Sequence, residues 1–148
     1  MNLIVRSIDF SGSIADGPGV RSVLFVQGCR RRCPDCHNPE TWPLDAGSTV
    51  PVAELAGQIR SRAFNKKLTI SGGEPLLQAD AVLALLERLP DFDVALYTGA
   101  DLGDVPEELL ARLDYIKAGR YDREKRTTTT PYVGSSNQQF IALERRRR

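Results

Sequence analysis

Short runs of branched and aromatic residues alternate along this chain with stretches whose apolar residues recur at helical spacing. Leu3-Ile4-Val5, Ser22-Val23-Leu24-Phe25-Val26, Leu68-Thr69-Ile70, Val94-Ala95-Leu96-Tyr97 and Tyr115-Ile116 read as strands. Val52, Leu55, Ala56, Ile59 and Ala63 define one helix face, and Val82, Leu85, Leu86 and Leu89 define another. Asp104 and Glu107 predict a capping box, with Pro106 in the first turn of a third helix that carries Leu109, Leu110 and Leu113. Phe140-Ile141-Ala142-Leu143 is a candidate edge strand. Such alternation argues for an α/β fold in which crossover helices join parallel strands. A closed eightfold barrel typically takes about 250 residues. A chain of 148 residues builds roughly half of one. The expectation is an open, partial (β/α) barrel with parallel strands, a single domain over 1–148 with a disordered tail at about 144–148.

In such folds ligands sit at the carboxyl ends of the strands. Three features fall there: a cysteine-bearing loop after Val26, the turn Ser71-Gly72-Gly73-Glu74-Pro75, and Tyr97-Thr98-Gly99. From Gly28 to Gly47 the chain shows no periodicity, and a loop this long in a compact domain is usually functional or disordered.

The sequence has three cysteines, all within that loop, spaced Cys29-x-x-x-Cys33-x-x-Cys36. An odd number leaves one thiol over in a disulfide framework. Three thiolates from one loop can cap three corners of a 4Fe-4S cubane and leave the fourth iron open to substrate. A zinc site of the three cysteines with His37 fits poorly, because His37 directly follows Cys36 and adjacent residues rarely reach one tetrahedral ion together. The rest of the composition is that of a soluble globular protein: 41% hydrophobic, 26% charged, formal charge +1. That charge gives no pull towards nucleic acid or membrane. The chain has no bilayer-length apolar run and no signal-peptide layout at Met1–Val5, so the expected location is the cytoplasm.

The loop Cys29-Arg30-Arg31-Arg32-Cys33-Pro34-Asp35-Cys36 resembles the signature of the radical S-adenosylmethionine superfamily. The wider stretch is more specific. Asp16-Gly17-Pro18-Gly19-Val20-Arg21, Gln27-Gly28-Cys29 and Cys36-His37-Asn38-Pro39-Glu40-Thr41-Trp42 resemble the glycyl-radical-enzyme activases. Short length and Gly134-Ser135-Ser136-Asn137-Gln138 are similar to the branch that activates anaerobic ribonucleoside-triphosphate reductase. The resemblance implies a partial barrel of the radical S-adenosylmethionine type. It also implies a 4Fe-4S cluster on Cys29, Cys33 and Cys36 as the catalytic and metal-binding set, with S-adenosylmethionine as the second cofactor. Reductive cleavage would give a 5′-deoxyadenosyl radical that installs a glycyl radical on the reductase.

The resemblance further implies that Gly72, Gly73 and Glu74 meet the methionyl amino group. Superfamily members often carry an aromatic residue where this chain has Asp35, which leaves His37 as the candidate adenine contact. Thr98 lies where a ribose hydroxyl could be met, or simply ends a strand. Lys117 reads as a surface lysine, and Trp42 as packing for the loop. Arg30, Arg31 and Arg32 offer a docking patch for an acidic electron donor such as flavodoxin or ferredoxin, or are a solvated charge run. The rival functions are activation of a pyruvate formate-lyase-like partner and a non-catalytic iron-sulfur electron carrier, which would normally supply all its own cluster ligands.

Overall fold

A computed structural model describes residues 1–29 and 42–143. Cys33, Cys36, His37, Asp35, the arginines 30–32 and the terminal arginines lie outside the described residues. A seven-stranded sheet dominates, ordered β3-β1-β2-β4-β5-β6-β7. The strands are β1 (Asn2–Ser13), β2 (Arg21–Val26), β3 (Ser48–Pro51), β4 (Lys67–Gly72), β5 (Asp93–Tyr97), β6 (Tyr115–Ala118) and β7 (Gln139–Ala142). The run β2-β4-β5-β6 is parallel throughout. The flanking strands β1, β3 and β7 pair antiparallel. This is the expected half-barrel of parallel strands, widened by antiparallel edges.

Alternation along each strand divides the sheet into two faces. Leu24, Val26, Leu68, Ile70, Val94, Leu96 and Ile116 point to one side and form the core with the helices. Helix α1 (Val52–Arg62) buries Val52, Leu55, Ala56 and Ile59 there, and α2 (Ala79–Glu87) buries Ala81, Val82, Leu85 and Leu86. Glu54 in the first turn of α1, and Arg60 and Arg62 in its last, complement the helix dipole.

The third helix is shorter than its sequence suggests. Helix α3 spans only Glu107–Leu110, Pro106 is its N-cap, and no side chain caps it. Asp104 instead closes a 3-10 turn at Leu102–Asp104. Val105, next to a proline, is held extended at φ −85°, ψ 129°, which separates the two turns and precludes the capping box. Strand β3 was not foreseen: Ser48-Thr49-Val50-Pro51 is mostly exposed, and is held by pairing with Asn2–Val5 and by Val50, half-buried against the core. Among the described residues no helix is long and apolar enough to cross a membrane.

Candidate active site

The opposite face of the sheet is where the polar residues gather. Register places Val23 beside Thr69, Thr69 beside Ala95, and Ala95 beside Tyr115 in one row. One layer nearer the carboxyl ends lie Phe25 beside Ser71, and Tyr97 beside Lys117. Below these rows Arg21 is wholly buried. Its Nε donates to Thr69 Oγ1 (2.9 Å), Nη1 to Pro18 O (2.9 Å), and Nη2 to Leu68 O (3.0 Å), Asp93 O (2.9 Å) and Asp93 Oδ1 (2.8 Å). Thr69 Oγ1 in turn donates to Asp16 O. The Asp16–Gly19 turn is thereby drawn over this face.

Towards the carboxyl ends a cavity of about 720 Å³ opens. That is within the roughly 300–1,000 Å³ typical of small-molecule sites. Its lining includes Cys29, Trp42, the Ser71–Glu74 turn, Tyr97, Thr98 and Lys117. The cavity thus unites Cys29, Gly72, Gly73, Glu74 and Thr98. Cys29 is half-buried, and its N–H donates to Trp42 O at 3.1 Å, so the two ends of the cysteine loop are joined.

The backbone N–H groups of the glycine turn serve the sheet. Gly72 has φ 110°, and a Cβ there would lie 2.4 Å from Val26 O. What approaches so closely is the backbone of β2. The N–H of Gly73 donates to Val26 O (3.0 Å) and that of Glu74 to Gly28 O (2.8 Å). These donors are engaged in joining β2 to β4. Any ligand contact from the turn therefore falls to its remaining groups.

Glu74 is 4% exposed. Its Oε2 accepts from Thr98 Oγ1 (2.7 Å) and Leu76 N (3.0 Å), and its Oε1 from Gly99 N (2.8 Å). Thr98 Oγ1 also accepts from Ala100 N at 3.0 Å. The carboxylate thus caps the 3-10 turn Pro75–Gln78 and ties the end of β4 to the end of β5. Glu74 and Thr98 line the site, but their polar atoms chiefly hold its walls.

Lys117 lies more deeply in the site than expected, and Tyr97 lines it as the strand ends suggested. Lys117 faces the cavity, with Nζ 4.5 Å from the centre of the Tyr97 ring. Tyr97 is buried in the cavity wall, and its phenol titrates above its usual range because of burial first and the nearby Asp16 carboxylate second. Their signal in the sequence was strand alternation: Phe25, Ser71, Tyr97 and Lys117 all share the parity of the inner face.

The loop Thr127–Gly134 borders the cavity's far side, with Thr128, Thr130, Pro131, Tyr132, Val133 and Gly134 in its lining. Gln138 anchors it: Oε1 accepts from Gly134 N (2.8 Å) and Ser135 N (3.2 Å), while Nε2 donates to Gly119 O (3.0 Å). This is the structural reason for the Gly134–Gln138 sequence.

Comparison with known proteins agrees with this architecture. Residues 15–141 match the model of the 4Fe-4S single cluster domain family. The chain is 34% identical to the anaerobic ribonucleoside-triphosphate reductase-activating protein of Vibrio cholerae, over 84% of this chain and 89% of that one. It is equally identical to the protein of that name from Enterobacteria phage T4, over 84% and 85%. Similarity to the pyruvate formate-lyase-activating enzyme of Listeria monocytogenes is 39%, but covers 53% of this chain and 34% of that one. The crystal structure of QueE from Escherichia coli shares the fold, with a TM-score of 0.58 at 17% identity over 80% of this chain and 70% of that one. A half-barrel whose thiol-bearing loop and Gly-Gly-Glu turn meet at one cavity therefore belongs, by family match and by near full-length similarity, to the 4Fe-4S single cluster domain family and to its anaerobic ribonucleoside-triphosphate reductase-activating proteins.

Proposed function

We propose that this chain holds a 4Fe-4S cluster on Cys29, Cys33 and Cys36, binds S-adenosylmethionine beside it, and activates anaerobic ribonucleoside-triphosphate reductase by placing a radical on one of its glycines. The observation that carries the reading is that Cys29 and the Ser71–Glu74 turn line one cavity at the carboxyl ends of the parallel strands. The residues present fit the two cofactors. A cysteine thiol opens onto a cavity of small-molecule size, in line with the cysteine-sulfur ligation of iron-sulfur clusters. When bound, the cluster supplies the electron that cleaves the sulfonium of S-adenosylmethionine to methionine and a 5′-deoxyadenosyl radical, which takes hydrogen from the glycine.

The protein's own part is positioning. Cys29 is fixed by its backbone bond to Trp42, at the rim of the site. Glu74 holds the turn that would face the methionyl amino group, and acts on that group through the turn's geometry. Phe25, Trp42 and Tyr97 supply apolar wall, which limits water near a reactive radical. His37 is assigned to the adenine. The chain works in the cytoplasm with flavodoxin or ferredoxin as donor. The near full-length similarity to reductase activators, against partial coverage of a pyruvate formate-lyase activator, favours the reductase as partner.

The test is anaerobic reconstitution with iron and sulfide, reduction, and addition of S-adenosylmethionine with the reductase. Cluster-dependent 5′-deoxyadenosine and a glycyl radical signal on the reductase are expected, both lost in Cys29→Ala, Cys33→Ala and Cys36→Ala. Product formation that survives in all three variants, or none from fully loaded and reduced wild-type protein with its reductase, overturns the reading.

A further inference from the structure

The connection from β6 to β7 leaves the sheet at the carboxyl end of the parallel strands, on the edge away from Cys29. Its later part is the Thr127–Gly134 loop that borders the cavity. Its earlier part carries four cations within seven residues, Arg120, Arg123, Lys125 and Arg126. All four are exposed, and none makes a side-chain hydrogen bond or ion pair among the described residues. Elsewhere on the surface Arg60 and Lys66 share Asp91. Two carboxylates lie in the same stretch, and one of them is used locally: Asp122 Oδ1 accepts from Glu124 N at 3.0 Å. A chain of net charge +1 thus gathers four positive charges against two negative ones on one connection.

Such a run is usually a solvated face. This one has a built backbone beneath it. Ser136 N donates to Lys125 O (2.8 Å), Asn137 Nδ2 to Arg120 O (2.9 Å), and Asp122 N to the Oγ of Ser135 (3.1 Å), which is wholly buried. Arg126 and Ser135 form an antiparallel bridge. The cations therefore stand on a fixed ridge. Like charges set side by side repel, so stability does not account for the cluster, whereas an anionic partner does.

The ridge flanks the cavity from outside. Tyr121 and Thr128, at either end of the run, line the cavity, and the four cations do not. They face what lies outside the mouth rather than a small ligand held within. Cys29 follows β2, and β2 to β6 is three strand spacings, about 14 Å. An electron donor approaches at the cysteine end, since electron transfer weakens steeply with distance. The ridge end is left for the polypeptide that must bring its glycine into the cavity. Complementary charge then makes the contacting segment of that polypeptide acidic.

We propose that Arg120, Arg123, Lys125 and Arg126 form a docking surface for an acidic segment of the polypeptide that carries the target glycine. The proposal rests on the glycine-activating function argued above. It is tested in the full cluster-loaded chain with two double variants, Arg123→Glu with Lys125→Glu and Arg123→Gln with Lys125→Gln. Each is titrated with the reductase, with S-adenosylmethionine and with a DNA duplex of random sequence, and its thermal unfolding is followed.

The glutamate variant should bind the reductase about tenfold more weakly, and the glutamine variant about threefold. Added salt should weaken wild-type binding more than binding by either variant. Affinity for S-adenosylmethionine should move less than about twofold, and the glutamine variant should melt no lower than wild type. Unchanged affinity of the glutamate variant for the reductase overturns the proposal, as does a flat salt response of the wild type. So does a loss that falls on S-adenosylmethionine instead, or a lower Tm in the glutamine variant, which would give the cations a structural role. Wild-type protein that binds the duplex as tightly as the reductase also overturns it. In all these cases the glycine-activating function still stands. Wild-type protein that does not bind the reductase at all overturns both.

Discussion

Glu74 sits where two strand ends must be held together, and it does so with a charge. A buried carboxylate is costly unless its oxygens are hydrogen-bonded. Here they accept from the Thr98 hydroxyl and from two backbone N–H groups on different segments. Charge-assisted bonds of this kind are roughly twice as strong as neutral ones. Glu74→Gln and Thr98→Val should therefore each cost about 1–3 kcal/mol in urea unfolding. Because the two side chains share one bond, the double variant should cost less than the sum, with a coupling of about 1 kcal/mol. Strict additivity would mean that the two residues act separately. The sequence made Glu74 and Thr98 legible as residues at strand ends, but their partnership was not legible. They are 24 residues apart, and only pairing of β4 with β5 brings the hydroxyl to the carboxylate. Lys117 was misjudged for a related reason. A lysine is usually exposed, and only the parity it shares with Tyr115 on β6 turns it to the inner face.

At the level of elements, helices α1 and α2 were plain in the sequence because burial on one face imposes a period. Strand β3 and the second half of β1 were not, since each carries only one or two half-buried apolar residues, Val50 in the one and Ile8 with Phe10 in the other. The two glycines of greatest contrast lie on a well-read helix and on a well-read strand. Gly57 is exposed in α1, and a Cβ there meets nothing within 4 Å. Gly57→Ala should stabilise the protein by about 0.5–1 kcal/mol, through helix propensity alone. Gly72→Ala places a Cβ 2.4 Å from Val26 O and 2.5 Å from Val26 N, on a backbone at φ 110°. No side chain can yield there, because both contacts are β2 backbone. Thermal melts should show a higher Tm for Gly57→Ala and a marked loss, or no folded protein, for Gly72→Ala. A Gly72→Ala variant as stable as wild type would mean that β2 and β4 can part without cost at the site.

For the whole molecule, a half-barrel leaves one sheet face without helices, and that face must be closed at one end for a site to form at the other. The turn Asp16-Gly17-Pro18-Gly19 and Arg21 do this. A sequence shows the turn by its glycines and proline, and the resemblance it carries, but does not show that Arg21 points inward. That follows from its parity with Val23 and Phe25 on β2 and from the absence of competing apolar side chains at Thr69 and Asp93. Arg21 reaches across three parallel strands, bonding a carbonyl or side chain on β4 and β5 while holding Pro18. Its ion pair with Asp93 is only part of this, and Asp93 is 27% exposed, so solvent screens that share. The larger effect is the set of buried carbonyls that lose their donor. Arg21→Met keeps the length and apolar stem of the side chain but removes every N–H. It should cost about 3–5 kcal/mol, measured by urea unfolding, since breaking such a buried network strands its remaining polar groups. Arg21→Lys should recover only part of that, because one ammonium cannot reproduce a planar fork. If Arg21→Lys matched wild type, charge alone would suffice. The closure of the barrel would then rest on the turn's backbone, and the guanidinium would be incidental to it.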